Sequence, residues 1–342
     1  MAQALSKSRI EYIDIAKGIL IMCLLYGHAI IFAPMDGIKD SFMNKMSYPI
    51  AFYNAFFMQS FFIITGYCSS FRTDFKTFLW KNIKTLLLPS VLLFLFSEFY
   101  KLIIFKHSLS VEPLCKLALW LTTGAPWFIM AMFLGKLLYW SIYRFPISWQ
   151  IMAIFLLYII GLITNQYTSI PNYLWYQHTL LLTPYLFVGN QLKTHNLLDN
   201  DKLLKYLAIF GFNIIVFQMI LGHWLGYVIP SHDFTICIKL WNFPIHIINS
   251  ITGTALVLWV SKNIVHSRFL NTLGMGTLLI YLWNGIVYRS IIRILYSFYD
   301  PDSLIKCALF HVSALLLCFV TFYYIVIFIY NHKSLNWIVG KW

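Results

Sequence analysis

The chain has 342 residues, of which 60% are hydrophobic, 19% aromatic and only 11% charged, and its mean hydropathy is +0.73. An ordinary soluble domain carries about 25% charged residues, so a single aqueous core is excluded and a polytopic membrane protein is expected. The formal charge of +13 does not point to nucleic acid, because the basic residues fall in short connections between apolar runs, where they act as topology signals.

Ten apolar runs, near 11–33, 49–70, 82–105, 126–144, 149–165, 177–193, 203–222, 242–261, 273–295 and 304–330, predict ten transmembrane helices in one all-α domain over 1–342. The runs are continuous rather than alternating, which excludes barrel strands. The first run exceeds 20 residues and lacks a small-residue cleavage site, so it is expected to stay in the membrane. Placing the amino terminus inside puts most loop lysines and arginines, from Lys7 and Arg9 to Lys333 and Lys341, on one side. The positive-inside rule therefore predicts both termini in the cytoplasm.

Run by run, the ionisable and polar residues are few. The first span holds Asp14, Lys17 and His28, although Asp or Lys at mid-span costs roughly 2.5–3.5 kcal/mol on insertion scales. Lys17 and His28 are eleven residues apart, about three full helical turns, so they share one helix face about 16 Å apart along the axis. Asp14 lies one turn below Lys17. Gln59 sits midway along the second span; Lys81 and Lys84 precede the third, which carries Pro89 and, in its outer half, Glu98. Residues 112–123 are expected to form a short interfacial helix. Pro184 interrupts the sixth span, and the ninth carries Asn284 and the i,i+4 pair Arg289 and Arg293. Near the outer boundaries His178, His223, His232 and His246 gather with Trp175, Tyr176, Trp224 and Trp241, as in an aromatic belt. The six cysteines form no CxxC pair and read as small packing residues, so neither a disulfide framework nor a metal site is expected. No HExxH, GxSxG, P-loop or nucleotide fingerprint occurs.

Lys17-x10-His28, within Asp14-x-x-Lys17-Gly18 and Gly27-His28, resembles the first-helix signature of the membrane-bound acyltransferase 3 family. Further likenesses follow in order: FFIITGY (Phe61–Tyr67), Lys81-x-x-Lys84 before LLLP (Leu86–Pro89), PWFIMAMF (Pro126–Phe133), PYLFVGNQL (Pro184–Leu192) and LGMGTLLIYLWN (Leu273–Asn284). The resemblance covers nearly the whole chain. It implies transfer of an acyl group, usually acetyl, from cytosolic acetyl-CoA or another acyl-CoA to a hydroxyl of a carbohydrate or lipid-linked glycan, in a bacterial inner membrane. Membrane lipids and these substrates are the implied partners.

The residues can be given roles within that reaction. Imidazole is the side chain best matched to proton transfer near neutral pH, so His28 is the candidate base, or a transient carrier of the acyl group. Glu98, at a similar depth, is its candidate catalytic partner, and Lys101 one turn on is the competing partner for Glu98. The phosphates of acyl-CoA need cations near the cytoplasmic face. Lys81, Lys84 and Lys17 are suited to that, with Tyr67 beside them. Gln59, Trp127, Asn284, Arg289 and Arg293 are assigned to the acceptor. Two departures stand out: Asn284 replaces a histidine common in the family, and lysines replace arginines at 17, 81 and 84, which keeps charge but loses bidentate phosphate recognition. The chain stops at Trp342, soon after the tenth run, so no fused esterase-like domain is expected. The competing reading is a transporter for a polysaccharide precursor or small solute that uses the polar first helix as its pathway.

Overall fold

A computed structural model describes residues 10–32, 49–105, 127–167, 172–224, 240, 242–264, 266–298 and 303–339. Its long elements are helices, and no strand occurs among the described residues. In a bilayer only helices satisfy their own backbone polar groups within a single segment, which is why each apolar run takes this form. The helices are α1 (Glu11–Phe32), α2 (Phe57–Cys68), α3 (Phe75–Asn82), α4 (Leu88–Phe105), α5 (Trp127–Ile142), α6 (Ile147–Tyr167), α7 (Tyr176–Thr194), α8 (Asp201–Trp224), α9 (Phe243–Asn263), α10 (Arg268–Met275), α11 (Thr277–Tyr296) and α12 (Leu304–Asn331). Among the described residues seven stretches are long and apolar enough to cross a membrane by length and composition, and α5 is a shorter apolar helix. The chain is thus an all-α, multi-pass membrane protein. The expected interfacial helix at 112–123 lies outside the described residues.

Three of the expected spans have a different internal structure. The second is helical at 49–54, turns at Ala55 and Phe56, and resumes as α2. No Gly or Pro marks that break. Its cause is tertiary: the Phe56 ring fills the space over Gly253 of α9, where any Cβ would overlap it. The third span begins earlier than expected, at Phe75, and passes through a π-helical turn over Ile83–Leu87. Pro89 follows directly and has no N–H to give the preceding turn; the wider turn closes with the Leu88 N–H donating to the Ile83 carbonyl. The ninth span is preceded by a separate short helix, α10, which ends at Gly276 before α11 starts.

Helix ends follow their sequence. Asp74 caps α3 by accepting from the Thr77 backbone N–H at 2.9 Å, and this bond holds its carboxyl below the ordinary carboxylate range. Ser267 and Ser303 cap α10 and α12 in the same way.

Small residues set the closest approaches. A Cβ on Gly18 would overlap the Leu270 carbonyl, and one on Gly274 would overlap the carbonyl of Asp14, so α1 and α10 touch backbone to backbone. Gly66 meets the Leu186 carbonyl and Gly189 the Ile63 carbonyl in the same manner, which locks α2 to α7. Close packing through small residues is how membrane helices associate when the solvent is itself apolar. The glycines of the motifs at Asp14–Gly18, Phe61–Tyr67, Pro184–Leu192 and Leu273–Asn284 are therefore crossing points that pair the motifs in space.

Candidate active site

α1 carries the polar stripe expected from its helical arithmetic. At its first turns Lys17 Nζ lies 3.3 Å from Asp14 Oδ1, an i,i+3 ion pair with Asp14 almost fully buried. Near its other end His28 is half-buried and meets Asn284 of α11, which is 4% exposed. His28 Nδ1 and Asn284 Oδ1 are 2.6 Å apart.

The geometry fixes which nitrogen carries the proton. Asn284 Nδ2 donates to the Tyr281 backbone carbonyl at 2.5 Å. A carbonyl only accepts, so the amide NH₂ must face Tyr281 and its oxygen must face His28. An amide oxygen in turn only accepts, so His28 donates from Nδ1. The neutral ring then keeps its basic lone pair on Nε2. Asn284 thus holds the His28 ring from its Nδ1 side. Glu98 is half-buried on α4, on a helix joined to α11 by Tyr100 Oη with Ser290 Oγ at 3.0 Å and by the stacked rings of Phe96 and Trp283. The Lys101 side chain, the competing partner, lies outside the described residues.

Other acceptor-side candidates divide into two groups. Trp127, at the start of α5, packs against His178 with ring centroids 4.6 Å apart and lies 6.5 Å from Trp175. The neighbouring Phe128 ring lies 5.1 Å from Tyr281, the residue whose carbonyl orients Asn284. A run of aromatic contacts therefore joins Trp127 to the His28 site. Arg289 and Arg293 are exposed in the C-terminal half of α11. Gln59 is fully buried, and neither end of its amide has a hydrogen-bond partner among the described residues. It shares a face with Ile63 and Gly66, the face of α2 that crosses α7.

At the opposite end of α1 the donor candidates separate. Tyr67, at the end of α2, lies near Tyr12 at the start of α1. Lys81 and Lys84 line a cavity of about 1330 Å³ built on α3 and the π-helical turn, with Lys76 and Trp80 also in its wall. Lys84 Nζ sits 5.3 Å from the centre of the Trp80 ring. Lys136 of α5 is within electrostatic reach of Lys81. Lys17 is not among the described residues that line this cavity; its partner is Asp14. The cavity is completed by Lys333, Asn336 and Trp337 from the 3₁₀ segment Lys333–Val339 after α12. Sequence reading counted Lys333 among the topology lysines and did not single out Asn336 or Trp337. The one available signal was a tryptophan and a lysine together just past the last apolar run.

No curated protein and no solved structure matches the chain significantly. The family model described as an acyltransferase domain matches residues 10–330, a range that takes in α1 with His28, the basic π-helical turn and α11 with Asn284. On that match the chain belongs to the acyltransferase 3 family and is an integral-membrane acyltransferase.

Proposed function

We propose that the protein transfers an acetyl group from cytosolic acetyl-CoA to a hydroxyl of a cell-envelope polysaccharide or lipid-linked sugar, in a bacterial inner membrane with both termini in the cytoplasm. The observation that supports this reading is the His28–Asn284 contact at 2.6 Å, because it leaves the basic lone pair on Nε2 toward the end of α1 away from Lys17. In the reaction Nε2 takes the proton of the acceptor hydroxyl as its oxygen attacks the thioester carbonyl. The C–S bond then breaks, and the imidazolium returns that proton to the departing thiolate. The same nitrogen serves if the imidazole first carries the acyl group.

The basic cavity supports the donor assignment. Lys81 and Lys84 lie in it together with further lysines, as a ligand with several phosphates requires. The pantetheine arm is long and thin, and suits the distance of about 16 Å along α1 that separates the level of Lys17 from that of His28. Gln59 supports a polar ligand near α2, since a buried amide without partners is stabilised once a substrate supplies them.

The test uses purified protein in lipid nanodiscs with labelled acetyl-CoA and a glycan extract of bacterial envelopes. Label is expected to pass to the glycan, to be competed by free coenzyme A, and to need more donor in Lys81→Ala/Lys84→Ala, with the fold retained. If coenzyme A neither competes nor raises the thermal stability of the wild type, the donor assignment is wrong.

A further inference from the structure

α1 and α11, which hold His28 and Asn284, also share a buried histidine on α12. His311 is 2% exposed, and its Nδ1 lies 3.1 Å from Oη of Tyr288 on α11, which is equally buried. Tyr288 stands four residues after Asn284, so the two side chains share the buried face of α11, one turn apart. The His311 ring also meets Tyr26 of α1 edge-to-face, with centroids 6.3 Å apart, an arrangement that aromatic rings prefer. Tyr26 comes two residues before His28, about 200° around the helix. α1 therefore offers His28 to α11 on one side and Tyr26 to α12 on the other.

These contacts close a circuit. His28 and Asn284 join α1 to α11, Tyr288 and His311 join α11 to α12, and His311 and Tyr26 join α12 back to α1. Tyr26 also meets Tyr53 edge-to-face at 6.4 Å, and the Tyr53 hydroxyl lies over Gly27, where a Cβ would overlap it. Turning any one of the three helices about its axis disturbs its contacts with both others. Apolar packing is non-directional, whereas a hydrogen bond weakens steeply once it is misaligned. A leucine at position 311 would therefore keep the bundle closed and loosen its rotational aim.

We infer that His311 is a positioning residue for the transfer step: through Tyr288 and Tyr26 it sets the rotation of α11 and α1 that brings Asn284 to His28 Nδ1. The inference rests on the reading of His28 above and deepens it. It gives α12 a part in the site although His311 contacts neither His28 nor Asn284 in the circuit.

The experiment measures transfer of labelled acetyl at varied donor concentration by full-length protein in nanodiscs. In His311→Leu and in Tyr288→Phe, which deletes a single oxygen, kcat is expected to fall about tenfold with KM for acetyl-CoA within about twofold, as for a misplaced catalytic group. His311→Asn, whose amide puts a polar atom near the place of Nδ1, is expected to recover part of the loss. In an Asn284→Leu background His311→Leu is expected to cost less than about twofold more, because the aim is already lost. The double variant His311→Leu/Tyr288→Phe removes both partners of the buried pair, which is nearly neutral for stability in favourable cases. Its unfolding midpoint is expected to lie closer to wild type than that of either single variant, while its kcat stays low. If the double variant regains kcat together with stability, if the single variants turn over as wild type, or if the losses in the Asn284→Leu background multiply in full, the inference is overturned. The reading of His28 then stands so long as His28→Ala is inactive. If His28→Ala transfers acetyl at the wild-type rate, both fail.

Discussion

Replacing Asn284 with leucine removes the acceptor for His28 Nδ1–H while roughly keeping side-chain volume. The contact is 2.6 Å long, and Asn284 is only 4% exposed, so water has little access to replace it. A shielded donor left without its partner costs about 1–3 kcal/mol. At about 1.4 kcal/mol per factor of ten, that predicts a kcat lowered roughly 5- to 150-fold, because the ring loses both its orientation and its preference for the tautomer with a basic Nε2. The KM for acetyl-CoA is expected to change little, since Asn284 is not among the described residues of the basic cavity. Asn284→Asp keeps an acceptor facing Nδ1 and is expected to retain more activity than the leucine variant. The assay is steady-state transfer of labelled acetyl at saturating donor in nanodiscs, with each variant checked for monodispersity. A folded Asn284→Leu protein with wild-type kcat would refute the reasoning that Asn284 orients the base.

Gly274→Val would place a side chain in the space now taken by the Asp14 carbonyl, so α10 must move off α1. A loss of about 1–3 kcal/mol or more is expected from such overpacking, read as a lower thermal unfolding midpoint, whereas valine at the lipid-facing Leu317 should leave the midpoint near wild type. Gln59→Leu is expected to hold or raise thermal stability, because it removes two unsatisfied polar atoms from the interior, and at the same time to lower acetyl transfer. Stability and activity falling together would instead assign Gln59 a packing role.

How far the sequence could be read follows from what each feature depends on. The helical segments were legible because hydrocarbon forces every backbone group to be satisfied within its own segment, so each long apolar run announces a helix. The alignment of Lys17 with His28 was legible because it is a property of one helix. The turn at Phe56 was not, since it answers to Gly253, nearly 200 positions later. The His28–Asn284 contact joins residues 256 apart, and periodicity carries no information about which helix lies beside which. Sequence reading singled out both residues but gave no contact between them. The basic cavity shows the same division: Lys81 and Lys84 were visible as a spaced pair ahead of a proline, while Lys333, Asn336 and Trp337 reach them only through the packing of the last helix. The nearness of Asp14 to Lys17 was legible from their spacing, and the structure makes it an ion pair at 3.3 Å.

In the proposed reaction His28 carries the proton or the acyl group in the transfer step. The most direct measurement compares wild type with His28→Ala for acetyl transfer from labelled acetyl-CoA to envelope glycan, together with coenzyme A binding by thermal shift. Transfer is expected to fall to background in His28→Ala while coenzyme A still stabilises the protein as it does the wild type. A His28→Ala protein that transfers acetyl at the wild-type rate would contradict it.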